Sequence, residues 1–319
     1  MENCSNSAGN AFHILAFSTS KTAQYVLITG VLMMYLLTIF GNAIIITLVC
    51  LVPQLNTPMY FFLSNLAFAD ILHVSVTLPK LLSILLTHDN LMSFAACMTQ
   101  VYFLSLSAVC DIFVLTSMSY DRYVAICKPL QYSSLINKNV CNAITLFIWI
   151  MSTLDAGINV IATSLLSFCP PQKIDHFFCE LTTLYSISSS DTTSRNILLV
   201  FQIILLVSLP FFLIITSYTF IISTILNIQS SKGRHKAFSS CTSHLTTVIL
   251  FFGPIIILYG KPESEQTKEL DKLWSLLYTA VVPMLNPFVY TLRNKDILNT
   301  IRNVTRKWKL FFIQLVYRR

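Results

Sequence analysis

Ser117-Met118-Ser119-Tyr120-Asp121-Arg122-Tyr123-Val124-Ala125-Ile126-Cys127 closes an apolar run that begins near Val101 and ends on an adjacent acid and base. A charged pair is costly inside hydrocarbon and stable at a membrane–water boundary. This stretch therefore marks where one helix leaves a bilayer. Basic loop residues elsewhere put that boundary on the cytosolic side, so the motif reads as a switch at the inner mouth of a helical bundle.

Working outward, the other residues fit the same picture. Of 319 residues, 55% are hydrophobic and 11% are charged, with mean hydropathy +0.68. Soluble domains carry about 25% charged residues, which argues against a soluble enzyme. Apolar windows long enough to cross a bilayer, about 20 residues, recur seven times. They are Tyr25–Leu51, Met59–Leu86, Phe94–Ile126, Val140–Leu166, Ile197–Ile228, Ala237–Tyr259 and Leu273–Leu292, numbered helices 1 to 7 in that order. No linker separates two halves. The expected fold is an all-α membrane protein, a seven-transmembrane-helix bundle over residues 25–293. Residues 1–24 form an extracellular tail, and residues 294–319 a cytoplasmic amphipathic helix and tail.

The segment before Tyr25 is polar and lacks a basic n-region and a small-residue cleavage site, so helix 1 is expected to insert with the amino terminus outside. Orientation then follows from Lys and Arg. Arg122, Lys128, Lys138, Lys232, Arg234 and Lys236, with eight more from Arg293 to Arg319, fall inside: 14 of 21. One loop dissents, because Val52–Thr57 has no basic residue while Lys21 lies outside. The later loops outvote it. The formal charge of +7 is thus an inner-face property that suits anionic lipid better than nucleic acid.

Among nine cysteines, Cys50, Cys110, Cys127, Cys141 and Cys241 fall in or beside spans as packing thiols. Cys97, at the outer start of helix 3, and Cys169 and Cys179, in the loop before helix 5, face an oxidising compartment. A bridge from Cys97 to Cys179 would tie that loop over the end of helix 3. His176-Phe177-Phe178-Cys179-Glu180 holds metal-ligating types, but a bridged Cys179 is unavailable to copper or zinc. Asn3-Cys4-Ser5 is a glycosylation sequon on the outer tail.

Asp121-Arg122-Tyr123 together with Asn286-Pro287-Phe288-Val289-Tyr290 resembles a rhodopsin-like G-protein-coupled receptor. Longer stretches narrow the likeness. Pro58-Met59-Tyr60-Phe61-Phe62-Leu63-Ser64-Asn65-Leu66 opens helix 2, Ser217-Tyr218 lies in helix 5, Lys236-Ala237-Phe238-Ser239-Ser240-Cys241-Thr242-Ser243-His244-Leu245 opens helix 6, and Pro283-Met284-Leu285-Asn286-Pro287 lies in helix 7. Together they resemble a vertebrate olfactory receptor of the tetrapod class II type, from about Gly41 to Asp296. Two departures stand out. Ser189 or Ser190 sits near the family's third loop cysteine, leaving Cys169 either a free thiol or a partner for Cys4. Asp111 stands where the family usually has a glutamate.

The resemblance implies a small-molecule odorant, a stimulatory heterotrimeric G protein and cyclic AMP as output, with no catalytic residue and no cofactor beyond a sodium ion or a proton in its place. Carried over by position, the ligand site comprises Leu104, Ser105, Ala108, Val109, Gln202, Leu206, Phe252, Ile255, Ile256, Tyr259 and Thr279. That lining is apolar with a few hydroxyls and one amide, suited to a small apolar molecule with one hydrogen-bonding group. Leu104 stands where an amine receptor needs a carboxylate on helix 3, which argues against cationic transmitters. The switch comprises Asp121, Arg122, Tyr123, Tyr218, Lys236, Asn286, Pro287 and Tyr290, with Arg122 released toward Tyr218 and Tyr290 when helix 6 swings out.

Helix geometry adds a second site. Asp111 and Arg122 are 11 residues apart, hence about 20° around the axis and about 16 Å along it. Asp70, 12 residues past Pro58, lies about 18 Å deep by the same rise. Two carboxylates at one depth near mid-bilayer need a cation or a shared proton. Asp70, Asp111, Ser107 and Asn286 are the candidate walls. Asp155 in helix 4 is a third membrane acid whose reading goes no further than a helix–helix hydrogen bond.

After helix 7, Ile297, Leu298, Ile301 and Val304 recur at helical spacing among Arg302, Arg306 and Lys307, an amphipathic surface helix. The rivals fare worse. A transporter should show internal repeats or matched broken helices; an intramembrane enzyme needs a motif such as His-Glu-x-x-His; a light-driven pump needs a lysine in mid-helix 7. None occurs. A chemoreceptor of the same family working outside the nose is indistinguishable at this level.

Overall fold

The structure is a computed structural model that describes residues 11–17, 20–169, 172–259 and 268–293, with 298 and 302. The sequon at Asn3, and all of residues 294–309 except 298 and 302, lie outside them. Seven helices are long and apolar enough to span a membrane: Lys21–Leu51, Pro58–Thr87, Phe94–Cys127, Lys138–Ser164, Thr193–Leu226, Ser231–Leu258 and Glu269–Thr291. These are helices 1 to 7. Local chemistry sets their ends. Ser20, Ser93 and Asn137 accept the backbone N–H of Ala23, Ala96 and Val140 at the starts of helices 1, 3 and 4, satisfying donors that a helix leaves open. Pro58 opens helix 2, where its missing N–H costs nothing. His88, at φ 58°, stops it.

The packing is that of a chain in lipid. Helix 4 turns Leu146, Ile150, Leu154, Ile158 and Ile161 outward and buries Ser152, Asp155, Ala156, Asn159 and Thr163. This apolar-out, polar-in pattern reverses that of a soluble amphipathic helix and lets small and polar side chains join helices. Trp149 Nε1 donates to Asn65 Oδ1 of helix 2 at 3.0 Å.

Helices 1 and 7 meet at a defect in helix 7. Pro287 has no N–H, so the carbonyl of Pro283, four residues earlier, loses its helical donor. Asn42 Nδ2 of helix 1 donates to that carbonyl at 3.2 Å. Gly41 makes room, since a Cβ there would sit 3.0 Å from the Pro287 ring. Helices 5 and 7 also contain π turns, at Ile203–Ser208 and Leu277–Val281. The first ends at Ser208, two residues before Pro210.

The sequence reading did not foresee a small sheet at the Cys97 end. Strands β1 (Ala11–Ile14), β2 (Leu91–Ser93) and β3 (Lys173–Ile174) pair in the order β2-β1-β3, antiparallel then parallel. Phe12 and Ile14 are fully buried beneath it with Phe177 and Ile174. The segment before helix 1 thus forms part of a roof.

Candidate functional site

Four features build the roof. Cys97 of helix 3 bonds Cys179, as the sequence suggested, so that sulfur is unavailable to a metal. Gln100 Oε1 accepts the Cys179 N–H at 2.8 Å while Gln100 Nε2 donates to the Val76 carbonyl of helix 2 at 2.6 Å. Lys272, at the start of helix 7, donates to Asp175 and Glu269. His176 is buried against Ser275, and that burial pushes its imidazole below the usual range despite the pull of Glu180.

Beneath the roof lies a cavity of about 260 Å³ between helices 2, 3, 4, 5, 6 and 7. Leu104, Ala108, Ile112 and Val207 supply apolar wall, and Phe178 and Leu181 come down from the loop. The polar wall is concentrated on one side. Gln202 Nε2 donates to Asp155 Oδ1 at 2.7 Å and to Asn159 Oδ1 at 3.0 Å. Asn159 Nδ2 donates to Asp155 Oδ2 at 3.1 Å and to Ser105 Oγ at 3.2 Å. Four residues from helices 3, 4 and 5 thus form one network around a carboxylate.

Deeper in the bundle, Asn286 Nδ2 reaches both Asp70 oxygens, at 2.9 and 3.2 Å. Asp70 and Asp111 are both buried. Asp111 Oδ1 and Asn286 Oδ1 are buried without a hydrogen-bond partner among the described residues, acceptors of the kind a cation satisfies. Ser107 does something else: its hydroxyl pairs with His73 Nδ1 at 2.9 Å and donates to the Leu104 carbonyl.

At the opposite end, Arg122 donates through Nε to Asp121 Oδ2 at 3.0 Å and through a terminal nitrogen to the same oxygen. Tyr132, in the short helix Tyr132–Leu135, donates to Asp121 Oδ1 at 2.7 Å. Burial, together with that bond, raises the Tyr132 phenol above its ordinary range. Asp121 is fully buried and so held on both oxygens. About two turns deeper, His244 of helix 6 joins three helices. Its Nε2 lies 3.0 Å from the Leu115 carbonyl and its Nδ1 2.6 Å from the Tyr218 hydroxyl. A carbonyl can only accept, so Nε2 carries the proton and Tyr218 donates to Nδ1.

The family model for olfactory receptors matches residues 31–307. Olfactory receptor 1 of Rattus norvegicus is 42% identical over 299 residues, 94% of this chain and 95% of that one. Olfactory receptor 1J21 of Mus musculus is 42% identical over 302 residues, covering 95% and 97%. Olfactory receptor 1F1 of Homo sapiens is 39% identical over 304, again 95% and 97%. The chain belongs to the olfactory receptor family. It is a multi-pass membrane protein.

Of the ligand residues expected from sequence, Leu104, Ser105, Ala108, Val109, Gln202, Leu206 and Ile255 of this receptor line the cavity. Phe252 packs instead against Phe211, ring centroids 4.9 Å apart. Thr279 is buried with its hydroxyl on the Ser275 carbonyl of its own helix. Ile256 is corrected outright: it is 54% exposed on the outer surface of the bundle. The side chains of Tyr259 and Lys236 lie outside the described residues.

In the switch, Tyr123 packs beside Phe220 and Lys128, and Tyr290 is fully buried. Tyr218 is occupied by His244. Cys169 is disulfide-bonded, which removes the free-thiol alternative; Cys4 lies outside the described residues. Sequence reasoning missed Asp155 and Asn159 as cavity residues, although their four-residue spacing put both on one face of helix 4. His244 was quoted for the resemblance but given no role. His73 and Tyr278, packed edge to face in the cavity lining with ring centroids 6.2 Å apart, carried no signal.

Proposed function

We propose that this receptor detects a small, mostly apolar volatile molecule in the roofed cavity and activates a stimulatory G protein to raise cyclic AMP. The observation that carries the reading is the cavity itself: closed over by a disulfide-held loop, largely apolar with a hydrogen-bonded polar network on helices 3, 4 and 5, within a chain of this family. Its amino terminus lies outside the plasma membrane and its Arg122 end faces the cytosol, the orientation that places 14 of 21 basic residues inside.

Signalling then runs from cavity to Arg122. With no agonist, Arg122 stays on Asp121 and Tyr218 on His244. Helix 6, which contributes Ile255 to the cavity and His244 below it, is the connecting lever. Its outward swing separates His244 from Leu115 and Tyr218, frees Tyr218 to meet Arg122, and opens a gap for a helix of the G protein. Pro287 and the two π turns are where helices 5 and 7 bend. The test is a cyclic-AMP reporter assay in cells against volatile alcohols, aldehydes, esters, acids and amines, with Arg122→Ala as the silent control.

Asp70, Asp111 and Asn286 form the ion site of this reading, and the unpartnered Asp111 and Asn286 oxygens fit a sodium ion or a proton. Ser107 belongs to the His73 pair rather than to the ion. Asp111→Asn removes one of two facing charges and is expected to change agonist-free cyclic AMP severalfold and abolish its sodium dependence. Wild-type basal output with unchanged sodium response would remove the ion site.

A further inference from the structure

We propose that Asp155 is a ligand anchor and that the preferred ligands are small apolar molecules bearing a protonated amine. The inference rests on the odorant reading above and narrows its ligand class. An amine site is usually sought on helix 3, where this chain has Leu104; here the carboxylate comes from helix 4.

Three observations converge. First, Asp155 lines the cavity and is only 7% exposed. Second, Gln202 and Asn159 each donate one N–H to a different Asp155 oxygen. Two amides orient the carboxylate but add no charge, and an ionised carboxylate has about four acceptor positions. Half of that capacity is left for a ligand. Third, the cavity lining contains a second carboxylate, Glu180, and neither lysine nor arginine among the described residues. Its basic group is His73, already paired with Ser107. A buried carboxylate without a cation is costly, and a primary ammonium supplies both the missing charge and up to three donors. A neutral alcohol supplies one donor and no charge. A carboxylic acid would arrive as an anion facing two like charges.

The experiment compares straight-chain and cyclic amines, alcohols and carboxylic acids of matched carbon skeleton in the reporter assay. It uses wild type, Asp155→Asn and Asp155→Glu, each normalised to surface receptor. Asn keeps the size but not the charge, and its NH2 group replaces one of the two oxygens that accept from Gln202 and Asn159. The expected result is that amines are the most potent class on wild type. Asp155→Asn then weakens them at least about thirtyfold, the loss of one partner of a desolvated charge pair, and weakens alcohols of the same skeleton at least about tenfold less. Asp155→Glu restores part of the amine response. Equal potency of amines and alcohols, or unchanged amine potency in Asp155→Asn, overturns the anchor and leaves the odorant reading standing. If Asp155→Asn fails to reach the surface, amine potency on Asp155→Glu and wild-type class preference decide. Silence of surface-expressed wild type to every class overturns both.

Discussion

Replacing His244 with phenylalanine is expected to raise agonist-free cyclic-AMP output about tenfold per receptor at the surface. The imidazole ring already stacks on Tyr218, centroids 5.7 Å apart, so phenylalanine preserves the shape and most of the packing. What disappears is the pair of hydrogen bonds by which one helix 6 side chain holds helices 3 and 5. The Tyr218 hydroxyl is left buried with only the Cys241 carbonyl, 3.5 Å away, as acceptor, and losing a buried partner costs about 1–3 kcal/mol. Each 1.4 kcal/mol is about a factor of ten in a two-state population. If those bonds hold helix 6 inward, their removal shifts the population toward the open form. Basal output equal to wild type at matched surface level would show that the clasp does not hold the resting state.

Cys97→Ser is expected to lower surface receptor by about tenfold and to leave the remainder unresponsive. The disulfide closes a segment of 82 residues, and losing such a bond costs about 2–5 kcal/mol. Its effect reaches further than one bond, because Cys179, Gln100 and β3 with β1 are held together at the roof of the cavity. Flow cytometry on an amino-terminal tag, with the reporter assay on the same cells, reads both effects. Normal surface level with a normal response would mean that the sheet and Gln100 suffice to hold the loop.

Much of this fold was legible because a bilayer imposes a simple demand. About 20 apolar residues per span leave a mark that composition cannot hide, and all seven spans appear where the windows put them. Irregular features left none. A π turn at Ile203–Ser208 has no residue signature beyond the nearby proline, and strands of two to four residues are too short to alternate visibly. The cavity was read by position, and position fails at helix phase. Ile255 and Ile256 differ by about 100°, enough to send one into the cavity and the other to the outside. Asp155 was legible as an acid in a span but not as a cavity wall, since the turn of helix 4 that aims it inward is set by contacts with Ser105 and Gln202 on other helices.

The most direct test of the relay is cyclic AMP evoked by an activating volatile in cells bearing wild type or Arg122→Ala at equal surface density. Wild type should respond and Arg122→Ala should give no response at any dose. A variant that answers the same agonist with wild-type amplitude would contradict the assignment of Arg122 as the link between cavity and G protein.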